Sequence, residues 1–426
     1  MIRAGISACR CRRSLTRSLR PGGNAWPSRG AGMHFLVVNR FFGGDQVPTG
    51  RMLWDVAVRL AAAGHRVTAL VSPDAYANER GVAALPAGIA VRRLWGCRRC
   101  GRTLAWALYW LQAVLLVPLL RWDRCVLLTD PPFLLAAAPL AKWLGRRRRL
   151  YWWTMDLYPE ALVADGMICP GGWLHGLLRG INGAGLRRLD GVVALGEAQV
   201  ARLRAYAPWR AVAARTLVVP PWDDRPLARD DALVRALRAR FGWGERRVVL
   251  YAGNLGRGHS DADALAAARL SAAAGADWVF AFFCRGARRD ALAQASAGLA
   301  NVLVRDYVAP EETAALLHAA DVHLITMADG WDGVVVPSKL YGVLQTQAPV
   351  LFIGPEGADT AREIRRLGVG ACLPNGCGGE AVLAALEDLP RAVPAAAGDA
   401  VGVAGPARVA GFLAERTRPQ PLRTVF

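Results

Sequence analysis

The chain has 426 residues, 53% of them hydrophobic and 20% charged, with a formal charge of +19 at pH 7. That length is too great for one ordinary core and suits two domains. Its nine cysteines fit no disulfide framework and point to a reducing, cytoplasmic compartment, and its basic excess comes without a recognition module, which argues against a nucleic-acid partner.

Residues 1–32 hold seven arginines and no acid, so the remainder is nearer +12. This opening lacks an apolar h-region and is rich in Pro, Gly and Arg, so no packing is expected of it; it reads as a basic arm, a transit-like peptide or a start site placed too far upstream. From Met33 the pattern changes. His34–Asn39 is an apolar strand, Leu53–Ala63 repeats apolar residues at helical spacing, and Arg66–Val71 is a second strand. A crossover of this length makes the strands parallel and puts the loop FFGGDQVPTGR (41–51), with Gly43 and Gly44, at the edge where open α/β sheets bind ligands. The loop lacks GxGxxG spacing, which disfavours hydride transfer.

The most hydrophobic stretch, 103–120, has eighteen residues with Trp106, Tyr109 and Trp110 among them. A buried crossover helix, a helix lying in a membrane interface and a true span compete for it. The span is disfavoured because strand patterns on both sides belong to one sheet. Strands at 125–128, 150–153 and 191–195 end in Asp130, in Asp156 with Glu160, and in Glu197. Each acid could be a helix cap, but their common position at carboxyl strand ends suggests that Asp130, Asp156 and Glu197 line one cleft rim. Arg146–Arg149 is a solvated turn or a contact for anionic lipid. Cys97 and Cys100 form one CxxC without a second pair, so no metal site is expected.

A Pro-rich connector at 217–226 marks a hinge. Beyond it come a charged helix (230–241), a strand (247–252) and a second glycine-rich loop with Gly253, Asn254 and Arg257, able to meet an anion. Helices and strands then alternate to 325. The segment 332–354 reads DGVVVPSKLYGVLQTQAPVLFIG, a turn, a helix over 338–347 and a buried strand. Pro337 suits the first helical turn and the Ser338 hydroxyl suits a cap. The amides of Val335, Val336 and Ser338 are expected to face a phosphate at the helix start. Lys339 is one of only two lysines in the chain, the other being Lys142. A solvated helix-start lysine is the alternative reading.

These features give four segments: a basic arm (1–32), a first Rossmann-like domain (33–222), a second Rossmann-like domain (223–395), and a connector with a closing helix and tail (396–426). The fold class expected is α/β, with two units facing a central cleft.

The segments GHRVT (64–68), TDPP (129–132), DLYPE (156–160), YAGNLGR (251–257) and VPSKLY (336–341) resemble retaining glycosyltransferases of family four, with the GT-B fold, in the branch serving bacterial exopolysaccharide and O-antigen assembly of the colanic-acid type. The likeness covers about residues 33–420. It implies a diphosphate cradle at Val335, Val336, Ser338 and Lys339, a second basic contact from Arg257, and a wall from Gly43 and Gly44. It also implies a sugar-side acid at Asp332 and a ribose-binding acid at the position held here by Leu340, which cannot accept a hydrogen bond. Gln345-Thr346-Gln347 is a second departure, where small residues and a glycine are usual.

The resemblance implies hexose transfer from a UDP- or GDP-sugar to a lipid-linked saccharide, with no cofactor and no metal. Asp156, Asp332, Lys339 and Arg257 would be catalytic; Gly253, Asn254 and Glu197 would be on the donor side, and Asp130 and Glu160 on the acceptor rim. The protein is expected on the inner face of the plasma membrane, bound to its anionic surface. A nucleotide-sugar epimerase of the same fold and a non-catalytic membrane-bound relative are the alternatives.

Overall fold

Short β-branched and aromatic runs bounded by glycine, proline or charge form the strands, and amphipathic runs between them form the crossovers. The computed structural model describes residues 32–43, 47–72, 85–96, 102–223, 227–394 and 404–415. Gly44, Cys97, Cys100, the arm to residue 31 and most of the tail lie outside them.

The first half contains β1 (His34–Val38), α1 (Pro48–Ala62), β2 (Arg66–Val71), β3 (Ile89–Arg93), α2 (Arg102–Leu119), β4 (Arg124–Leu127), α3 (Ala138–Leu144), β5 (Arg149–Trp153), α4 (Glu160–Ala164), α5 (Trp173–Leu186), β6 (Gly191–Ala194), α6 (Glu197–Arg204) and β7 (Thr216–Val218). Its seven strands are all parallel, in the order β3-β2-β1-β4-β5-β6-β7. Both faces of such a sheet must be covered. Leu36 and Val38 point into one core with α2, α3 and α5, while Phe35 and Val37 point into the other with α1.

The second half contains α7 (Asp231–Arg240), β8 (Arg247–Asn254), α8 (Ala262–Ala273), β9 (Trp278–Arg285), α9 (Arg289–Ala295), β10 (Val302–Arg305), α10 (Thr313–His318), β11 (Val322–Thr326), α11 (Lys339–Val343), β12 (Val350–Ile353), α12 (Asp359–Leu367), β13 (Gly370–Leu373) and α13 (Gly378–Asp388). Its six strands are parallel, in the order β10-β9-β8-β11-β12-β13. The last helix, α14 (Gly405–Ala414), returns to the first sheet, where Val409 and Leu413 join its core.

In each sheet the strand order reverses once, between β1 and β4 and between β8 and β11. The crevice beyond the carboxyl ends of those strands is where open α/β sheets bind ligands. Among the described residues this makes four segments site candidates: 39–43 and 128–132 in the first half, 254–261 and 327–338 in the second.

Some expected elements change. The first helix begins five residues earlier than expected because Pro48 occupies its first turn, where a missing N–H is harmless. The eighteen-residue apolar stretch is the crossover helix α2, with Tyr109, Ala113 and Val117 in the core. No helix among the described residues is long and apolar enough to cross a membrane. The helix expected over 338–347 is five residues of α-helix followed by a 3-10 turn, Leu344–Thr346.

Candidate functional site

At the second reversal point, β8 ends in Gly253 and Asn254, and α11 begins with Lys339 beside it. The Lys339 ammonium lies 3.7 Å from the centre of the Tyr251 ring and donates to the Asn254 carbonyl at 3.3 Å. Gly253, at φ 131°, is the only residue type that leaves room for it, since an added Cβ would come 2.7 Å from the lysine Cε. Burial of the ammonium pushes the Lys339 pKa down to about 7. The ring face of Tyr251 opposes this by favouring the cation, and Lys339 as a whole remains half-buried. His259 hydrogen-bonds the Thr326 carbonyl at 2.6 Å, and burial together with the Lys339 charge holds its pKa down to about 3. A neutral imidazole therefore supports the loop. Sequence reasoning singled out neither Tyr251 nor His259, because an aromatic strand residue and a lone histidine read as core.

The turn before α11 is tighter than expected. The amides of Val334 and Val335 both donate to the Trp331 carbonyl, at 3.0 and 3.3 Å, so Val335 is not a free phosphate donor. The amides of Val336 and Ser338 have no partner among the described residues. Ser338 has helical backbone angles and its hydroxyl makes no cap, which corrects the capping expectation. Val336 packs against the first half's core.

Several bonds join the halves around this turn. Leu157 donates its amide to the Val334 carbonyl at 2.9 Å, which sets Asp156 next to the turn. Arg202 of α6 meets Asp332 through its carbonyl (2.8 Å) and its carboxylate (2.9 Å). Arg257 pairs with Asp165 of the first half at 3.0 Å while staying well exposed. Asp359 accepts from the Ala198 amide at 2.9 Å at the start of α6, where Gly196 leaves it space.

Of the expected rim acids, Asp130 and Asp156 come together. Thr129 accepts the Met155 and Asp156 amides at 3.3 and 3.1 Å, and the Arg40 amide donates to the Asp130 carbonyl at 2.7 Å. Burial pushes both carboxyls up to about 6, and the Asp130 charge adds to the rise at Asp156. Asp156 is itself exposed, so solvent screens part of that rise, and it edges a concavity with Thr129, Phe133, Trp152, Tyr158 and Asn182.

Glu197 and Glu160 do not join them. Glu197 is exposed in the first turn of α6, the turn that holds Asp359. Glu160 is buried and accepts the Tyr206 hydroxyl at 2.8 and 3.1 Å, so it braces α4 and does not reach a rim. Gly43, at φ 73°, donates to Gly50 at 3.0 Å and closes its loop on the start of α1. Among the described residues no cluster of His, Cys, Asp or Glu could hold a metal ion.

The two departures in 338–347 have a physical basis. Leu340 is fully buried in the second half's core, so an acid there would face inward. On another side of the helix, the Asp223 carboxylate from the connector lies 3.4 Å from where a Gly342 Cβ would stand; Asp223 also pairs with Arg51 at 2.8 Å. Gln345 clamps the connector, donating to the Asp223 carbonyl (3.0 Å) and accepting from the Leu227 amide (3.1 Å). Thr346 satisfies buried His323 at 2.9 Å. Gln347 takes the left-handed conformation, φ 61°, that usually favours glycine.

Residues 49–222 match the family described as Glycosyl transferase 4-like domain. Over 259 residues the chain is 28% identical to a probable glycosyltransferase, WbjE, of Pseudomonas aeruginosa, covering 58% of this chain and 61% of that relative's length. Among solved structures it is similar to WaaG, a glycosyltransferase involved in lipopolysaccharide biosynthesis (TM-score 0.62, 15% identity, 89% of this chain and 99% of that one). It is also similar to Anabaena HepE in complex with UDP (TM-score 0.59, 13% identity, 90% and 96%); the same HepE has been solved with UDP-glucose. The two parallel sheets thus have the fold of the GT-B glycosyltransferases, and the family match falls on the first of them.

Proposed function

We propose that this protein is a retaining glycosyltransferase that moves a hexose from a UDP- or GDP-sugar to a lipid-linked saccharide, at the inner face of the plasma membrane, in surface polysaccharide assembly. The observation that carries the reading is Lys339, set by Gly253, Tyr251 and Asn254 at the second reversal point, with Asp156 brought beside the same turn by the Leu157–Val334 bond. The name of WbjE and the nucleotide complexes of HepE favour a nucleotide-sugar donor.

In this reading the Val336 and Ser338 amides and Lys339 hold the diphosphate, and Arg257 exchanges Asp165 for it. These groups stabilise charge as it gathers on the leaving phosphate, where catalytic stabilisation is most effective. The sugar's anomeric carbon loses its bond to the phosphate oxygen and gains one to the acceptor hydroxyl on the same face. The acceptor proton passes to the departing phosphate oxygen. Asp156 orients the acceptor hydroxyl, Asp332 and Gly43 with Gly44 contact the sugar side, and transfer needs no metal. With Leu340 turned inward, Asp223 is the carboxylate assigned to the ribose.

The test is incorporation of labelled sugar into lipid extract from a panel of nucleotide sugars. One donor should support lipid-dependent transfer. Donor turnover without lipid would point to an epimerase, and UDP or GDP binding without any turnover to a non-catalytic relative.

A further inference from the structure

Nine of the fourteen large apolar side chains left exposed among the described residues lie on α2, α3 and α5. These helices cover one face of the first sheet, and their inward sides share a core through Tyr109, Ala113, Ala138, Ala141 and Leu186. Two positions on from Tyr109 and Ala113 is about 200° round a helix. There Leu111 and Leu115 turn outward, 46% and 51% exposed. Trp143 on α3 and Trp173 at the start of α5 are 74% and 81% exposed. Such a concentration on one side is not the scatter of single apolar residues that any surface carries.

Charge says what this face meets. None of the three helices carries an Asp or Glu. Each is a crossover between parallel strands, so all three end at the same sheet edge, away from the cleft. Exposed arginines follow those ends: Arg121 after α2, Arg146 and Arg147 after α3, Arg187 and Arg188 after α5. Of the acids at that edge, Asp123 is held by the His34 amide at 2.7 Å and Asp190 by Lys142, which leaves exposed Glu415, whose carbonyl meets Arg149, against five exposed arginines. A second copy of the chain would set these arginines against their own kind. A bilayer with anionic headgroups offers apolar depth beside negative charge.

We propose that α2, α3 and α5 together form a docking face that lies in the interface of an anionic bilayer. The leucines enter the acyl boundary, the indoles of Trp143 and Trp173 sit at headgroup level, and the arginine edge rests on lipid phosphates. This deepens the lipid-linked acceptor reading and rests on it for its purpose, but its test does not depend on catalysis.

The full chain is co-sedimented with vesicles of phosphatidylcholine alone and of phosphatidylcholine with phosphatidylglycerol. UDP binding is measured in parallel by calorimetry. The unaltered protein should bind the anionic vesicles at least about tenfold better. The W143E/W173E variant should lose at least about tenfold of that binding, and R146E/R147E should lose the preference for phosphatidylglycerol. Both variants should keep the parent's UDP affinity, because none of these residues lines the Asp156 concavity or contacts Lys339. Vesicle binding by W143E/W173E equal to that of the unaltered chain would overturn the proposal. So would a lipid-free dimer that this variant abolishes, which would make the face a contact between copies. Absence of UDP binding in the unaltered chain would count against a UDP-sugar donor and leave the docking face standing.

Discussion

Lys339 lies where any side chain on Gly253 would have to be: a Cβ on Gly253 comes 2.7 Å from Cε and 3.3 Å from Nζ of the lysine. The glycine at the end of β8 and the lysine at the start of α11 therefore form one device, since neither can change without moving the other. Gly253→Ala should push the ammonium off the Tyr251 ring and away from the diphosphate. Turnover should fall on the order of a hundredfold, the scale for a group misplaced by about 1 Å, with circular dichroism unchanged. Steady-state kinetics on the identified donor check this, and parental kinetics would contradict it.

The lysine also sets a pH dependence. Burial holds its pKa down to about 7, and a bound diphosphate would restore the proton. As pH rises through about 7 the free protein loses that proton, so UDP affinity should weaken by up to about tenfold per unit above it. Calorimetry in buffers of different ionisation enthalpy should show proton uptake on binding near neutral pH. In Lys339→Ala the uptake and the slope should vanish; a slope that survives the substitution would assign it elsewhere.

Asp130 and Asp156 give a stability signature of opposite sense to the usual carboxylate. Their folded pKa values are raised, to about 6, above the unfolded value near 4. Between those values the folded chain binds more protons, so their contribution to stability is present at low pH and is lost as pH rises through about 6. Asp156→Asn removes one member of the pair. Its melting temperature relative to the parent should climb from about pH 4 to pH 6 and then level off. Parallel melting profiles across that range would show that the Asp156 carboxyl is not raised in the folded chain.

What could be read in the sequence follows from how local each signal is. Buried parallel strands such as His34–Val38 and Val350–Ile353 are continuous apolar runs and are legible on their own. The edge strand Ile89–Arg93 is mostly exposed beyond Ile89 and so carries no apolar run, and α5 holds four glycines, which depress helix propensity; neither is legible on its own. Lys339 and Gly253 were singled out separately, but their contact across 86 positions belongs to the fold. Asp130 and Asp156 come together because their strands are adjacent, a neighbourhood that no local pattern displays, whereas Glu197 stands apart because the start of α6 faces Asp359. Ser338 looked like a cap, yet its backbone is already helical. Gln345, Thr346 and Gln347 made no sense along the chain, because their partners, the connector and His323, are distant in sequence.

On the proposed reading Asp223 takes the ribose role that Leu340 cannot fill. If its carboxylate accepts from the ribose, Asp223→Asn should weaken UDP by about tenfold or more, the worth of one hydrogen bond to a charged group. Binding of pyrophosphate, which has no ribose, should stay unchanged. Equal losses for both ligands would mean that the substitution loosens the Arg51 pair and the hinge, and that the ribose is held by another group.

The most direct measurement is a crystal structure of the chain with UDP. The account predicts diphosphate oxygens about 3 Å from Lys339 Nζ and from the Val336 and Ser338 amides, with Arg257 turned from Asp165 toward them. A nucleotide bound away from this turn, or a carboxylate of the chain itself seated against Lys339 in its place, would contradict it.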